Sequence, residues 1–185
     1  MVLAFDEIKI KGDLIYNKHT GQIIGYVNLG DIEQQLVALE ENRSFISNVA
    51  THMLQFMLRG LSARLNNPVA HFATSALTAK QLYPMVWDVI GSVECTRLKV
   101  IIITANGASM NRKFFRMHKH PSGSNVENGI VYKTTNMYAE DRNIYFMSDV
   151  PHLINTVRNC WEKSRFGGTI LMQVCITSLQ LTEDI

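Results

Sequence analysis

The apolar positions fall into short β-type runs in the first part of the chain and into helical spacings later. Val2, Leu3, Ala4 and Phe5, followed by alternating Ile8-Lys9-Ile10, predict a first strand over 2–10 that Gly12-Asp13 ends. Leu14-Ile15-Tyr16 and Ile23 to Val27 predict a hairpin around the turn-rich Asn17-Lys18-His19-Thr20-Gly21. Asp31 is a candidate cap for a polar helix running to about Asn42. Residues 51–61 fit a helix or a buried strand; Gly60 and the preceding linker bound them tightly and favour the strand. Val69 to Thr74 predicts another strand.

From Thr78 to Cys95, Leu82, Met85, Val86, Val89, Ile90 and Val93 recur at three- and four-residue spacing, the pattern of an amphipathic helix. Pro84 requires that helix to start close to it. The β-branched run Leu98 to Thr104 predicts a buried central strand, followed by a helix over 109–118. Residues 119–143 are polar, with Pro121, Gly123 and Gly129, and read as a loop. Asn143 to Met147 is a strand, and Val150-Pro151 opens a helix to about Lys163. The apolar stretch Ile170 to Ile176 has no assigned role. Strands and helices in this order predict a mixed α/β fold around one sheet.

Composition narrows the class. The 185 residues are 46% hydrophobic and 18% charged with a formal charge of +2, which fits one folded domain and argues against nucleic-acid binding by bulk charge. Cys95, Cys160 and Cys175 are far apart and form no C-x-x-C pair, so neither a disulfide framework nor a structural zinc site is expected, and a reducing, intracellular compartment is. No run approaches about 20 apolar residues, and the first residues lack a basic segment, so neither a membrane span nor a signal peptide is expected. The chain opens directly on an apolar run, which suggests a piece of something longer.

Three polar sites stand beside predicted strands: Asp6-Glu7 in the first, Asn106 after the 98–104 run, and Ser148-Asp149 after the 143–147 run. Carboxylates gathered at strand ends suit Mg²⁺, a hard cation that takes oxygen ligands. The alternative for Asp149 is an N-cap of the helix that follows. Glu7 should face away from Asp6 in a regular strand, and His152 reads as structural. Arg112, Lys113, Arg116 and Lys119 put four basic residues in positions 112–120, with Arg112 and Arg116 on one helix face. That face suits phosphate; the plainer reading is a solvated face with Phe114, Phe115 and Met117 turned inward. No Walker A loop or G-x-S-x-G elbow is present.

At these residues the sequence resembles the RNase H-like catalytic domain of P-element-type DNA transposases, including relatives that carry a THAP zinc finger. The resemblance rests on Val2-Leu-Ala-Phe-Asp-Glu-Ile-Lys-Ile, Phe56-Met-Leu-Arg-Gly-Leu, Pro68-Val-Ala-His-Phe-Ala-Thr, Val100 to Arg112, and Tyr145-Phe-Met-Ser-Asp-Val-Pro-His-Leu-Ile to Asn159, in the family's order. It implies an RNase H-like mixed sheet flanked by helices, incomplete at the C-terminus. It divides the chain into a partial core over 1–165 and a divergent tail over 166–185. It also implies an Asp-Asp-Glu triad holding two Mg²⁺ or Mn²⁺ ions for DNA cleavage and strand transfer, in the nucleus.

By position the first acid, and the metal ligand, is Asp6; the second acid's position is held by Asn106; the third acid lies in the family beyond the end of this chain. Asp149 belongs to the recurring S-D-x-P-H segment and is a candidate to support the site without a catalytic role of its own. Loss of two of three carboxylates predicts weak or absent metal binding and no catalysis by this chain alone. Two functions are therefore expected to compete: a truncated, inactive transposase core, and a non-enzymatic DNA- or protein-binding module derived from one. Oligomerisation is not expected from this piece alone.

Overall fold

The computed structural model describes residues 1–21, 23–30, 49–118 and 131–164. The predicted helix over 31–42, Lys119, and the apolar stretch and tail beyond 165 lie outside them. The described strands are β1 (Val2–Lys9), β2 (Ile15–Tyr16), β3 (Ile23–Ile24), β4 (His52–Arg59), β5 (Asn66–Thr74), β6 (Ile102–Ala105), β7 (Lys133–Asn136) and β8 (Ala139–Ser148). The helices are α1 (Ala79–Cys95), α2 (Ser109–Arg116) and α3 (Val150–Ser164).

Six strands form one sheet in the order β5-β4-β1-β6-β8-β7, and β2-β3 form a separate hairpin. β4 runs antiparallel to β1, whereas β6 runs parallel to β1 and β8 parallel to β6. This is the mixed α/β sheet that the element order predicts. The parallel steps need crossovers, and α1 and α2 supply helices for them.

Strand alternation divides the sheet into two unlike faces. Leu3, Phe5, Leu54, Phe56, Ile103, Ile144 and Phe146 point to one face and are buried there against α1 and α2. Val2, Ala4, Asp6 and Ile8 point to the other, in register with Arg59, Met57, Gln55 and Met53 of β4 and, for the first two, with Ile102 and Thr104 of β6. This second face is open: Ile8 is 47% exposed, Tyr145 42% and Met147 47%. The core is therefore one-sided.

α1 forms because its apolar residues line one side and its end is capped. The Thr78 side chain accepts from Gln81 N–H and the Gln81 side chain accepts from Thr78 N–H, satisfying two of the first turn's orphan donors. Pro84 corrects the expectation for this helix. It sits inside α1 as the sixth residue, so the helix gives up one internal hydrogen bond there and is held by burial instead.

The predicted strand over 98–104 begins later, at Ile102. Arg97 turns the chain with φ 65°, Val100 N–H donates to Glu94 Oε1 at 3.0 Å and Ile101 N–H to the Met1 carbonyl, so this stretch closes the α1–β6 connection. The predicted loop over 119–143 is corrected too: its last part is the β7–β8 hairpin. Its polar residues hold that hairpin. Asn136, fully buried, accepts from Tyr138 N–H across the turn and donates to Glu94 Oε1 at 2.9 Å.

Glu94 anchors the hairpin to α1. Its carboxylate also receives Arg142 through Nη1 at 3.3 Å and Nη2 at 2.7 Å. The carboxyl is held below the usual range: burial opposes this, and the hydrogen bonds from Arg142, Val100 and Asn136 outweigh it. Glu94→Gln removes the close counter-charge of Arg142, leaving only the distant Asp141 at 3.9 Å, and is expected to cost about 2 kcal/mol, below the roughly 3–5 kcal/mol of a fully buried pair because this pair lies near the surface. Urea denaturation of the two proteins measures this; a loss within about 0.5 kcal/mol would mean that the pair is fully solvated.

Candidate active-site face

The site forms where the parallel strands β6 and β8 end beside the middle of β1. Phe5 pairs with Ala105 and Ala105 with Ser148, so Asp6, Asn106 and Asp149 are the next residues on β1, after β6 and after β8. All three turn to the open face, where they line a shallow groove of about 330 Å³ floored by Val2, Ala4, Met57 and Thr104. The structure thus brings together the three candidates that lie farthest apart in sequence. Glu7 faces the other way, as strand alternation predicts, and its Oε1 accepts from the Thr74 hydroxyl at 2.7 Å.

Hydrogen bonds hold Asp6 and Asn106 together. Asp6 Oδ1 accepts from Glu7 N–H at 2.9 Å and from Asn106 Nδ2 at 2.8 Å. Asn106 Oδ1 accepts from Ala108 N–H at 3.0 Å and from Asn111 Nδ2 at 2.8 Å. Asn111 also donates to the Asn106 carbonyl at 3.2 Å. His152 stands two residues into α3 with Nε2 4.0 Å from Asp6 Oδ2 and 3.9 Å from Asp149 Oδ2. Asp149 directly precedes α3 and its carbonyl accepts from Leu153 N–H, which suits the capping position read from sequence.

Arg112, Lys113 and Arg116 are exposed on α2, with Phe114 turned into the core and Phe115 half-buried. None of the three lines the groove; among the described residues the cation that does is Arg59, at the end opposite Asp6. The sequence reading did not single out Arg59, Asn111 or Gln55, and set His152 aside as structural. Pairing explains the miss: Arg59 and Gln55 reach the site through the antiparallel register with β1, and no local motif announces it. A second groove, of about 460 Å³, lies between β5 and α1 with Val69, Phe72, Val89 and Val93 in its wall, and contains none of the predicted site residues.

A one-sided mixed sheet with polar residues at the ends of its central parallel strands defines the RNase H-like class. A family model described as "TNP-like, RNase H N-terminal domain" matches residues 1–119, and the chain belongs to this family. Its fold is similar to that in a solved Drosophila P element transposase strand transfer complex, with a TM-score of 0.58 and 19% identity over 85% of this chain. The chain spans 28% of the length of that transposase chain. No curated protein matches it.

The family uses divalent cations, and the residues here do not fit one well. Among the described residues no group of three or more His, Cys, Asp or Glu side chains is placed to hold a metal ion. At Asp6 the Asn106 side chain presents an amide N–H where a cation would need an anionic oxygen.

Proposed function

We propose that residues 1–165 form the N-terminal part of a P-element-type transposase core that engages DNA in the nucleus, as a monomer, without cutting it. The single observation that carries the loss of chemistry is the 2.8 Å hydrogen bond from Asn106 Nδ2 to Asp6 Oδ1. Two-metal phosphodiester chemistry needs ions about 4 Å apart, each neutralised by carboxylates. Asp6 stands at the first acid position of the family's triad and Asn106 at the second, with Asp149 as a supporting carboxylate, and Mg²⁺ or Mn²⁺ would bind weakly. The DNA contact is assigned to the exposed Arg112, Lys113 and Arg116 of α2, with Lys119 following. Lys113 and Arg116 occupy its last turn, where the helix dipole favours cations.

Fluorescence anisotropy with a labelled duplex tests this. Binding is expected to weaken steeply from 50 to 200 mM salt, by about tenfold or more for three phosphate contacts. Arg112→Ala with Arg116→Ala should reduce the salt slope by about two. Affinity that ignores both salt and these substitutions would sink the DNA reading. In that case the open sheet face, with Ile8, Tyr145 and Met147 exposed, favours the alternative of a protein-binding module.

A further inference from the structure

We infer that the Asn106 side-chain amide occupies the place of a cation at Asp6, and that Asn111 is the positioning residue that fixes it there. The inference rests on the reading of Asp6 and position 106 as the remnant of a metal site.

The orientation of the amide follows from what surrounds it. The Ala108 backbone N–H can only donate, so the Asn106 atom 3.0 Å from it is the oxygen. An ionised Asp6 carboxylate can only accept, so the atom 2.8 Å from it is the nitrogen. The two ends agree. Asn106 therefore turns its one possible metal ligand, Oδ1, away from Asp6 and sends an N–H toward it. Simple loss of charge would leave a weak site; this arrangement fills the site with a donor of the protein's own.

Asn111 makes the arrangement rigid. It is 3% exposed and lies in the first turn of α2. Its Nδ2 donates to both oxygens of Asn106, whereas its own Oδ1 is buried with no hydrogen-bond partner among the described residues. A buried acceptor left unpaired is destabilising, so the benefit of this side chain lies in its donor end. That donor would serve a carboxylate at position 106 equally well, holding one oxygen and leaving the other to face Asp6.

Mn²⁺ titration by calorimetry on the whole chain tests both parts. The native protein should give no measurable binding, and Asn106→Asp should create a site. Adding Asn111→Ala to Asn106→Asp should weaken that site by about 10- to 100-fold, the effect expected of a group that orients a ligand. Circular dichroism of each variant shows that it is folded. In the native protein the Asn106 side-chain amide protons should exchange slowly with solvent by NMR, and rapidly in Asp6→Ala.

Native binding as tight as in Asn106→Asp would overturn the exclusion by the amide. A folded Asn106→Asp protein without Mn²⁺ binding would overturn the cation seat. Equal affinity with and without Asn111 would overturn its positioning role. DNA binding is measured separately on the same variants, so a failure of the functional reading is distinguishable from a failure here.

Discussion

Phe114→Ala is expected to lower stability by about 3–5 kcal/mol, the cost of emptying a large aromatic from a packed core. Phe114 is fully buried, on the inner side of the short helix α2. Its ring lies 6.1 Å from Phe5, 6.0 Å from Tyr83, 4.7 Å from His118 and 6.2 Å from Phe146. One side chain thus joins β1, α1, α2 and β8, and edge-to-face contacts add to its area burial. α2 has eight residues and no side-chain N-cap, so it has little stability apart from this anchor. Urea denaturation followed by far-ultraviolet circular dichroism measures the loss. A change below about 1 kcal/mol would mean that the ring does not sit at this junction. Because α2 also carries Asn111, the variant should loosen Asn106 as well.

Acid should destabilise the protein through His118, by roughly 3 kcal/mol in total. The ring is 5% exposed and its pKa is lowered to about 4, chiefly by burial, with the Phe114 and Phe115 backbone opposing. The neutral ring is well accommodated: Trp87 Nε1–H donates to Nε2 at 3.2 Å and Nδ1–H donates to the Phe114 carbonyl at 3.0 Å. Protonation would put two donors, Trp87 and Nε2–H, against each other.

The folded pKa lies below the unfolded value near 6.5, so the unfolded chain takes up the proton first. The His118 contribution is complete above pH 6.5, declines as pH falls toward 4, and is level below that. NMR titration of the folded protein should find the His118 ring neutral at pH 5, and His118→Phe should flatten the stability profile over this window. A folded-state midpoint near 6.5 would show the ring to be solvated.

Much of the fold was legible because its strongest signals are local. The β1 alternation and the helical spacing of Leu82 to Val93 each report burial on one side of one element. Even the separation of Asp6 from Glu7 followed from alternation alone. The hairpin β7–β8 was not legible, because its polar residues are used at long range: Asn136 and Arg142 meet Glu94, more than 40 positions away. The site was legible in part. Asp6, Asn106 and Asp149 each mark a strand or its end, so a parallel arrangement brings them together. Arg59, Gln55 and Asn111 depend on register and helix rotation, which composition does not announce. Arg112, Lys113 and Arg116 do form an exposed helix face, as their spacing predicts, but the spacing does not tell that it lies apart from the groove.

The sheet order carries a consequence for how the molecule is made. β1 is synthesised before the other described strands, yet its parallel neighbour β6 begins 100 residues later, and His152 follows β1's Asp6 by 146 residues. At roughly 5–20 residues per second, that is a wait of several seconds to half a minute. For the first part of that interval Leu3 and Phe5 lack the helices that will bury them; β4 arrives first, on the other side, and α1 only shortly before β6. Long-range parallel pairing is slow to form and leaves apolar strands open to wrong partners. The first strand, which sets the geometry of the site, is thus the element most dependent on assistance while the ribosome finishes the rest.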